Sequence, residues 1–171
     1  MRFFSVIAAV VYLNAVAWGA PAVEPTAVGL WEQSDEKTGK PESWFSIAEK
    51  DGVYTGTVVK MFPKPGEPPP ESWRCTKCEG AEKNAQVLGL ALIKGMKRKG
   101  LKYEDGTIMD PRDGTVYRAL MQLSPDGKQL EVRGYYGIAL MGRSQIWNRL
   151  PDNAMDPPRP EPPPRPEPKK K

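Results

Sequence analysis

Residues 43–61 read Ser-Trp-Phe-Ser-Ile-Ala-Glu-Lys-Asp-Gly-Val-Tyr-Thr-Gly-Thr-Val-Val-Lys-Met, and this stretch decides the fold class. Side chains of opposite character alternate along Ser43–Glu49 and again along Val53–Met61, which is the period of a half-buried strand. Asp51-Gly52 lies between the two runs, and this dipeptide favours a tight hairpin because glycine accepts a positive φ. The stretch therefore predicts two antiparallel strands joined by a turn.

Similar short runs lie on both sides of this hairpin. Asp110–Gly114 and Ser124–Gly127 have the composition of turns, with proline inside and glycine at the end. The further predicted strands are Gly29–Gln33, Gln86–Lys94, Thr107–Asp110, Thr115–Leu123, Gln129–Tyr136 and Ser144–Leu150. The run at 86–94 also fits a short buried helix, but the nearby glycines favour a strand. About eight strands with frequent turns predict an all-β sandwich or barrel. We favour a small antiparallel β-barrel, because closure leaves no exposed edge.

The N-terminal segment has the composition of a secretory signal. Arg2 supplies a positive charge, and Phe3–Ala17 is an apolar run that is too short to span a bilayer comfortably. The alternative is a retained membrane anchor. Small residues offer cleavage sites after Ala17, Ala20 and Ala22. We favour Ala22, which makes residues 1–22 the signal peptide of an exported protein.

The C-terminal segment Pro151–Lys171 has nine prolines in 21 residues. Such a segment has little apolar surface to bury, and we expect a disordered, extended tail. An alternative is a spacer whose cationic end, formed by Lys169, Lys170 and Lys171, contacts an anionic envelope surface. Residues 23–150 remain as one domain.

The composition excludes several classes of enzyme. The sequence has no histidine, which excludes Ser-His and Cys-His nucleophile pairs and every histidine metal site. Two cysteines cannot form a four-thiolate zinc site within one chain. The 25 basic and 21 acidic residues are well mixed, so the composition does not indicate nucleic-acid binding. We therefore expect a protein that is not an enzyme and has no metal or cofactor.

The motif Cys75-Thr-Lys-Cys78 lies in the proline-rich loop Phe62–Gly80 and has three interpretations. It fits a structural disulfide, a redox-active pair, or a metal site completed by carboxylates such as Glu79 or Glu82. Export to an oxidising compartment favours the structural disulfide, and the absence of a βαβ context disfavours the redox pair.

The last predicted strand carries an unusual face. A period of two places Arg143, Gln145, Trp147 and Arg149 on the same side. Guanidinium groups beside an indole suit cation–π stacking. Trp31 in the first strand is a natural partner, because closure of a barrel makes its first and last strands neighbours.

These residues carry a resemblance to a known family. Gly29-x-Trp31, with an arginine on the last strand, resembles the signature of lipocalin-like (calycin) barrels. More closely, the chain resembles exported bacterial domain-of-unknown-function family twenty-one forty-seven over residues 28–149. The matching residues are Gly29-Leu-Trp31, Asp51-Gly52-x-Tyr54-x-Gly56, Cys75-x-x-Cys78, Leu88-Gly89, Ile108-x-Asp110-Pro111-x-x-Gly114-x-x-Tyr117, Leu130-x-Val132-Arg133-Gly134-Tyr135-x-Gly137 and Gly142-Arg143-x-x-x-Trp147-x-Arg149.

The resemblance implies a lipocalin-like barrel in the periplasm. It implies that Trp31 closes one end with Arg149 or Arg143 stacked on it. The residues with implied structural roles are Gly29, Trp31, Arg143, Trp147 and Arg149.

Relatives by fold bind small apolar molecules, so the leading hypothesis is a non-catalytic binding protein for a small apolar or amphipathic ligand such as a lipid. Alternation suggests a ligand lining of Trp44, Val59, Tyr117, Met121 and Tyr136. The alternatives are an envelope interaction protein acting through residues 62–80 and the tail, and a thiol redox protein.

Overall fold

A computed structural model describes residues 24–157 of the protein. The predicted signal peptide at 1–22 and the lysines at 169–171 lie outside the described residues. The eight strands are β1 Gly29–Ser34, β2 Pro41–Lys50, β3 Val53–Met61, β4 Ala91–Lys99, β5 Lys102–Met109, β6 Val116–Leu123, β7 Gln129–Tyr135 and β8 Arg143–Arg149. Short 3-10 turns occur at Pro70–Ser72, Gly80–Glu82 and Ala139–Met141.

The strands form one closed antiparallel barrel in chain order. Each strand pairs with the next, and β1 also pairs with β8, where Trp31 lies opposite Arg149. The prediction of an all-β, eight-stranded barrel is confirmed. No helix among the described residues is long and apolar enough to cross a membrane.

Two predicted strands have different bounds in the structure. The strand predicted at 86–94 is β4, which begins at Ala91 because Val87 and Leu90 belong to a turn that hydrogen-bonds to itself and to β3. The short strand predicted at 107–110 is the end of β5, which begins earlier because Lys102 pairs with Lys99 of β4.

Large side chains fill the barrel interior. The alternate residues of each strand form its buried face, and the aromatic residues among them provide much of the core volume. The largest fully buried side chains of the barrel are Trp31, Ile47, Val58, Ile93, Met96, Tyr103, Met121, Leu123, Leu130 and Trp147.

The chain before β1 closes one end of the barrel, which we call the sealed end. Ala27 is fully buried, its N–H donates to the Tyr103 hydroxyl at 2.8 Å, and its carbonyl accepts from the Trp31 indole at 2.8 Å. Arg98 extends from β4 and donates to Glu24 and to the carbonyl of Pro25. The segment 24–28 is therefore fixed across the barrel by hydrogen bonds.

The opposite end, which we call the loop end, carries the longer connections. They are residues 35–40, 62–90, 110–115 and 136–142. Cys75 and Cys78 of the longest connection are buried in the same core cluster as the barrel residues. This connection therefore covers part of the loop end.

Candidate functional site

Three polar side chains lie close together inside the barrel, toward the loop end. Gln33 of β1 and Ser43 of β2 are paired residues, and Gln145 belongs to β8 on the other side of β1. Ser43 Oγ donates to Gln33 Oε1 at 2.5 Å, and Gln33 Nε2 donates to Gln145 Oε1 at 3.0 Å. We call these three residues the polar cluster.

Strand alternation brings the polar cluster together. Each member lies two positions along its strand from a buried aromatic residue, namely Trp31, Phe45 and Trp147. Because residues two apart share a face, the three polar side chains point to the same side of the sheet as the core. A buried polar group is costly unless it is hydrogen-bonded, and the contacts within the cluster meet part of this need.

Two stacked aromatic rings lie next to the polar cluster. Phe45 and Trp147 have ring centroids 4.3 Å apart and planes inclined by 19°. Trp147 is only 1% exposed, yet within residues 24–157 its indole N–H has no acceptor. A buried N–H left without an acceptor costs about 1–3 kcal/mol. This group is therefore a donor that a bound oxygen atom would satisfy.

The loop that carries the cysteines packs on the core at this end. Cys75 and Cys78 lie at disulfide distance with their Cα atoms 5.3 Å apart, and Cys78 Sγ is 3.3 Å from Met109 Sδ of β5. Gly114 of a neighbouring connection packs so tightly on Lys77 that a side chain there would collide with the Lys77 backbone. The disulfide loop is therefore held against two parts of the barrel.

Two cavities of the described residues lie on the outside of the barrel. One has a volume of about 240 Å³ and lies beside Gln122, Glu131 and Ile146. The other has a volume of about 260 Å³ and lies beside Lys102, Leu120 and Arg133. The interior is occupied by side chains, so a molecule bound inside must be small or must displace some of them.

Met121 and Tyr117, two of the predicted lining residues, lie on the inner face of β6. Met121 is 2% exposed and belongs to the core. Tyr117 is half-buried, lies nearer the loop end and is on the same face of β6 as the buried Ala119. Met121 therefore fills the interior as a packing residue, and Tyr117 lies closer to the mouth.

The other three predicted lining residues do not line the interior, and these assignments are corrected. Trp44 lies on the outer face, because its neighbours Ser43 and Phe45 are the buried ones. Val59 shares the alternation of Thr57, which is not buried, whereas the adjacent Val58 is buried. Tyr136 is 79% exposed, because β7 ends one residue earlier and the chain leaves the sheet.

Contacts on the outer surface explain the position of Trp44. Its indole donates to Glu32 Oε2 at 3.0 Å, and Lys60 Nζ lies 4.2 Å from the ring centroid. Phe62 packs edge-on against it with ring centroids 5.5 Å apart. The tryptophan thus links β1, β2 and β3 from outside.

The predicted structural residues lie in the first half of β1 and along β8. The Arg149 guanidinium lies 4.2 Å from the centre of the Trp31 ring, and Gly29 has a φ of 133° beside it. Arg143 is exposed at the loop end and is therefore remote from this stack. Trp147 lies between them, in the core.

Carboxylates at the loop end are held in ionised form. Hydrogen bonds from Thr38 lower the pKa of Asp35 from 3.8 to about 2. The Arg112 guanidinium lowers the pKa of Asp110, and the Lys94 ammonium lowers that of Glu82. A general acid at neutral pH needs the opposite shift, so these three groups do not suit that role. No group of three or more potential ligands among residues 24–157 is arranged to hold a metal ion.

Gln33 and Ser43 were missed by sequence reasoning. The sequence does contain a pattern that indicates them, because each lies two residues from an apolar residue, Trp31 or Phe45, and so shares its face of the strand. The alternation of β8 predicts Gln145 on the face of Trp147 but indicates no role for it. Their proximity depends on the pairing of β1 with both β2 and β8, which no local pattern reveals.

Comparisons with known proteins agree with this geometry. A solved structure, protein HP1028 from the human pathogen Helicobacter pylori, described as belonging to the lipocalin family, superposes with a TM-score of 0.63. The two chains share 17% identity, and the match covers 75% of this chain and 86% of that one. This similarity shows a lipocalin-like fold. No curated protein matches the sequence.

The family model described as "uncharacterized protein conserved in bacteria" (DUF2147) matches residues 29–149. These bounds begin at the first residue of β1 and end at the last residue of β8, so the match spans the whole barrel. The resemblance carried by the motifs between Gly29 and Arg149 is confirmed. The chain therefore belongs to the DUF2147 family of bacterial proteins.

Proposed function

We propose that the protein is a non-catalytic periplasmic binding protein that holds a small amphipathic molecule at the loop end of its barrel. The observation that carries this proposal is the buried indole N–H of Trp147, which has no acceptor among residues 24–157 and lies on the strand of the polar cluster. A lipocalin-like barrel supports the proposal as a fold suited to small ligands.

The donors of the site indicate which chemistry it would recognise. Gln145 uses its oxygen to accept from Gln33, and its amide N–H groups donate to no other described residue. The exposed cation Arg143 lies two positions further along the same face of β8, toward the loop end. N–H donors with a nearby cation favour an oxygen-rich acidic head group such as a carboxylate.

The packed interior limits the apolar part of the ligand. Trp147 and Phe45 are stacked and buried, so they form an apolar surface beside the donors. The sealed end is closed by the buried Ala27 and Trp31, which leaves no room for a long chain there. We therefore propose a short acyl or aromatic acid, with its head group near Gln145 and its apolar part against the two rings.

NMR of the indole N–H groups tests the proposal. Sodium octanoate is the probe, and octanol of equal chain length is the neutral control. We expect octanoate to shift the Trp147 indole signal, which is assigned by its loss in Trp147→Phe. The Trp73 indole, which donates to the carbonyl of Pro68 at 2.9 Å in an exposed loop, is the internal reference.

A matched pair of variants identifies the site. Gln145→Leu should weaken octanoate binding about tenfold, because it removes amide donors to a charged group. Gln122→Leu, on the outer face of β6, should leave it unchanged. An unmoved Trp147 signal at saturating octanoate, together with no adduct in native mass spectra of the protein from its own host, would overturn the proposal.

A further inference from the structure

The connection between β7 and β8 displays apolar side chains at the loop end. Tyr136, Ile138, Leu140 and Met141 are 79%, 61%, 84% and 79% exposed. The neighbouring strand β6 begins at the same end with Val116, which is 53% exposed. We call these five residues the apolar tip. Single exposed apolar residues are common on protein surfaces, but several within six residues of chain indicate a contact surface.

The backbone of this connection is held in place, so its side chains are displayed from a defined turn. Arg133 of β7 donates from Nε to the carbonyl of Ala139 at 2.7 Å and from Nη2 to that of Leu140 at 3.1 Å. Its Nη1 donates to Ser144 Oγ at 2.8 Å. Gly142 fits because a side chain there would lie 2.7 Å from the carbonyl oxygen of Gly134. The apolar tip is therefore ordered before it meets a partner.

Positive charge accompanies the apolar tip. The sequence from Val132 to Pro151 contains no aspartate or glutamate and three arginines. Arg143 lies two residues after Met141 and Arg118 flanks the tip on β6, and both are exposed. Neither forms a salt bridge with any of residues 24–157. An apolar projection with cations at its base is complementary to an anionic lipid surface.

We propose that the apolar tip inserts into the interface of a membrane containing anionic lipids, while Arg118 and Arg143 contact the head groups. Tyr136, with its ring and hydroxyl, suits the boundary between head groups and acyl chains. A second copy of the chain would bring the same two cations, Arg118 and Arg143, to the interface, and like charges oppose such a contact. Charge complementarity therefore favours an anionic membrane over a second copy of the chain.

Sedimentation with vesicles tests the proposal. Protein is produced from the full chain, and its mass establishes that the apolar run at 3–17 is absent. We expect binding to vesicles of phosphatidylcholine with phosphatidylglycerol, and weaker binding to phosphatidylcholine alone. The double variant Leu140→Ser, Met141→Ser should weaken binding at least about tenfold, because two side chains no longer enter the apolar region. Both positions are exposed, so the variant should fold normally.

Two further variants separate the contributions. Ile146→Ser replaces a 52% exposed residue on the outer face of β8 and should bind as the wild type does. Arg118→Gln should weaken binding about fivefold, and only on anionic vesicles.

Three results would overturn the proposal. The first is no binding of the wild type, and the second is unchanged binding of the double variant, which would assign binding to the cationic tail. The third is a wild-type dimer in sedimentation velocity that the double variant loses, which would make the tip an interface between copies.

Discussion

Arg149 at the end of β8 lies over the ring of Trp31 in β1, with 4.2 Å between the guanidinium carbon and the ring centroid. The same guanidinium donates to the carbonyls of Thr26, Val28 and Gly127. Burial lowers the pKa of the Arg149 guanidinium from its ordinary value, which is far above neutrality, so the group stays charged. One side chain thus joins both terminal strands to the turn between β6 and β7.

Arg149→Lys should destabilise the protein by about 2 kcal/mol, because an ammonium cannot donate in the fork geometry that reaches three carbonyls. Urea unfolding followed by circular dichroism measures this free energy. The control is Arg143→Lys, at the exposed end of the same strand, which should be neutral. Equal losses in both variants would contradict the assigned role of Arg149.

Gly29→Ala should destabilise the protein by at least about 2 kcal/mol, since strain and collision act together. The φ of Gly29 is 133°, and a Cβ atom there would lie 2.6 Å from Arg149 Nη1. Gly39→Ala is the matched control, because Gly39 also has a positive φ, of 67°, but has nothing within 4 Å. We expect the control to lose about 1 kcal/mol in the same unfolding assay. An equal loss in both would show that the contact with Arg149 is unimportant.

Removal of the disulfide in Cys75→Ala, Cys78→Ala should lower the free energy of unfolding by about 2 kcal/mol and leave the barrel folded. The disulfide closes a short loop, so it restricts the conformations of the unfolded chain only modestly. Hydrogen exchange should increase at residues 73–87, whose backbone hydrogen bonds surround Cys75. Exchange in β7 should be unchanged. A globally unfolded variant would show that the disulfide is needed for the whole fold.

Gln33→Met should cost more stability than Gln145→Met. Gln33 is the central member of the polar cluster, so its loss leaves both Ser43 and Gln145 without a partner. Loss of Gln145 removes a single contact. We expect about 2 kcal/mol for the first variant and about 1 kcal/mol for the second, in urea unfolding. The reverse order would mean that the cluster is not organised around Gln33.

Acid should lower the free energy of unfolding over a pH range that is set partly by Asp35. Its pKa is lowered from 3.8 to about 2 in the folded protein by hydrogen bonds from Thr38. A lowered folded-state pKa gives stability that is present above pH 3.8 and is lost as the pH falls toward 2. Asp35→Asn should therefore show a shallower loss of stability over this range than the wild type does. Parallel pH profiles would exclude Asp35 as a contributor.

Much of the fold was predictable because the patterns that indicate strands and turns involve residues that are close in the sequence. The alternation of residues 43–61 and the Asp51-Gly52 turn are properties of neighbouring residues, and both occur in the structure as β2 and β3. The pairing of Trp31 with an arginine of β8 follows from barrel closure. The choice of Arg149 does not, because it depends on which residue of β8 reaches the sealed end.

The candidate site was less predictable, for a physical reason. Alternation separates a strand into two faces, but it does not say which one is enclosed. Trp44 shows this, since a tryptophan is an ordinary core residue and here it lies outside, between Glu32 and Lys60. Met61 shows a second limit, because the extra residue Val59 in a bulge reverses the faces beyond it and brings Met61 against the core.

The sequence by itself determined the strand pattern, the turns, the family and the absence of histidine chemistry, since each depends on residue identity and on short spacings. Only the tertiary structure decided that the polar cluster joins β1, β2 and β8, that Trp147 keeps a buried N–H without an acceptor among residues 24–157, and that Arg133 holds the apolar tip. These features arise from contacts between residues that are distant in the chain, and barrel closure fixes them only when all eight strands are paired.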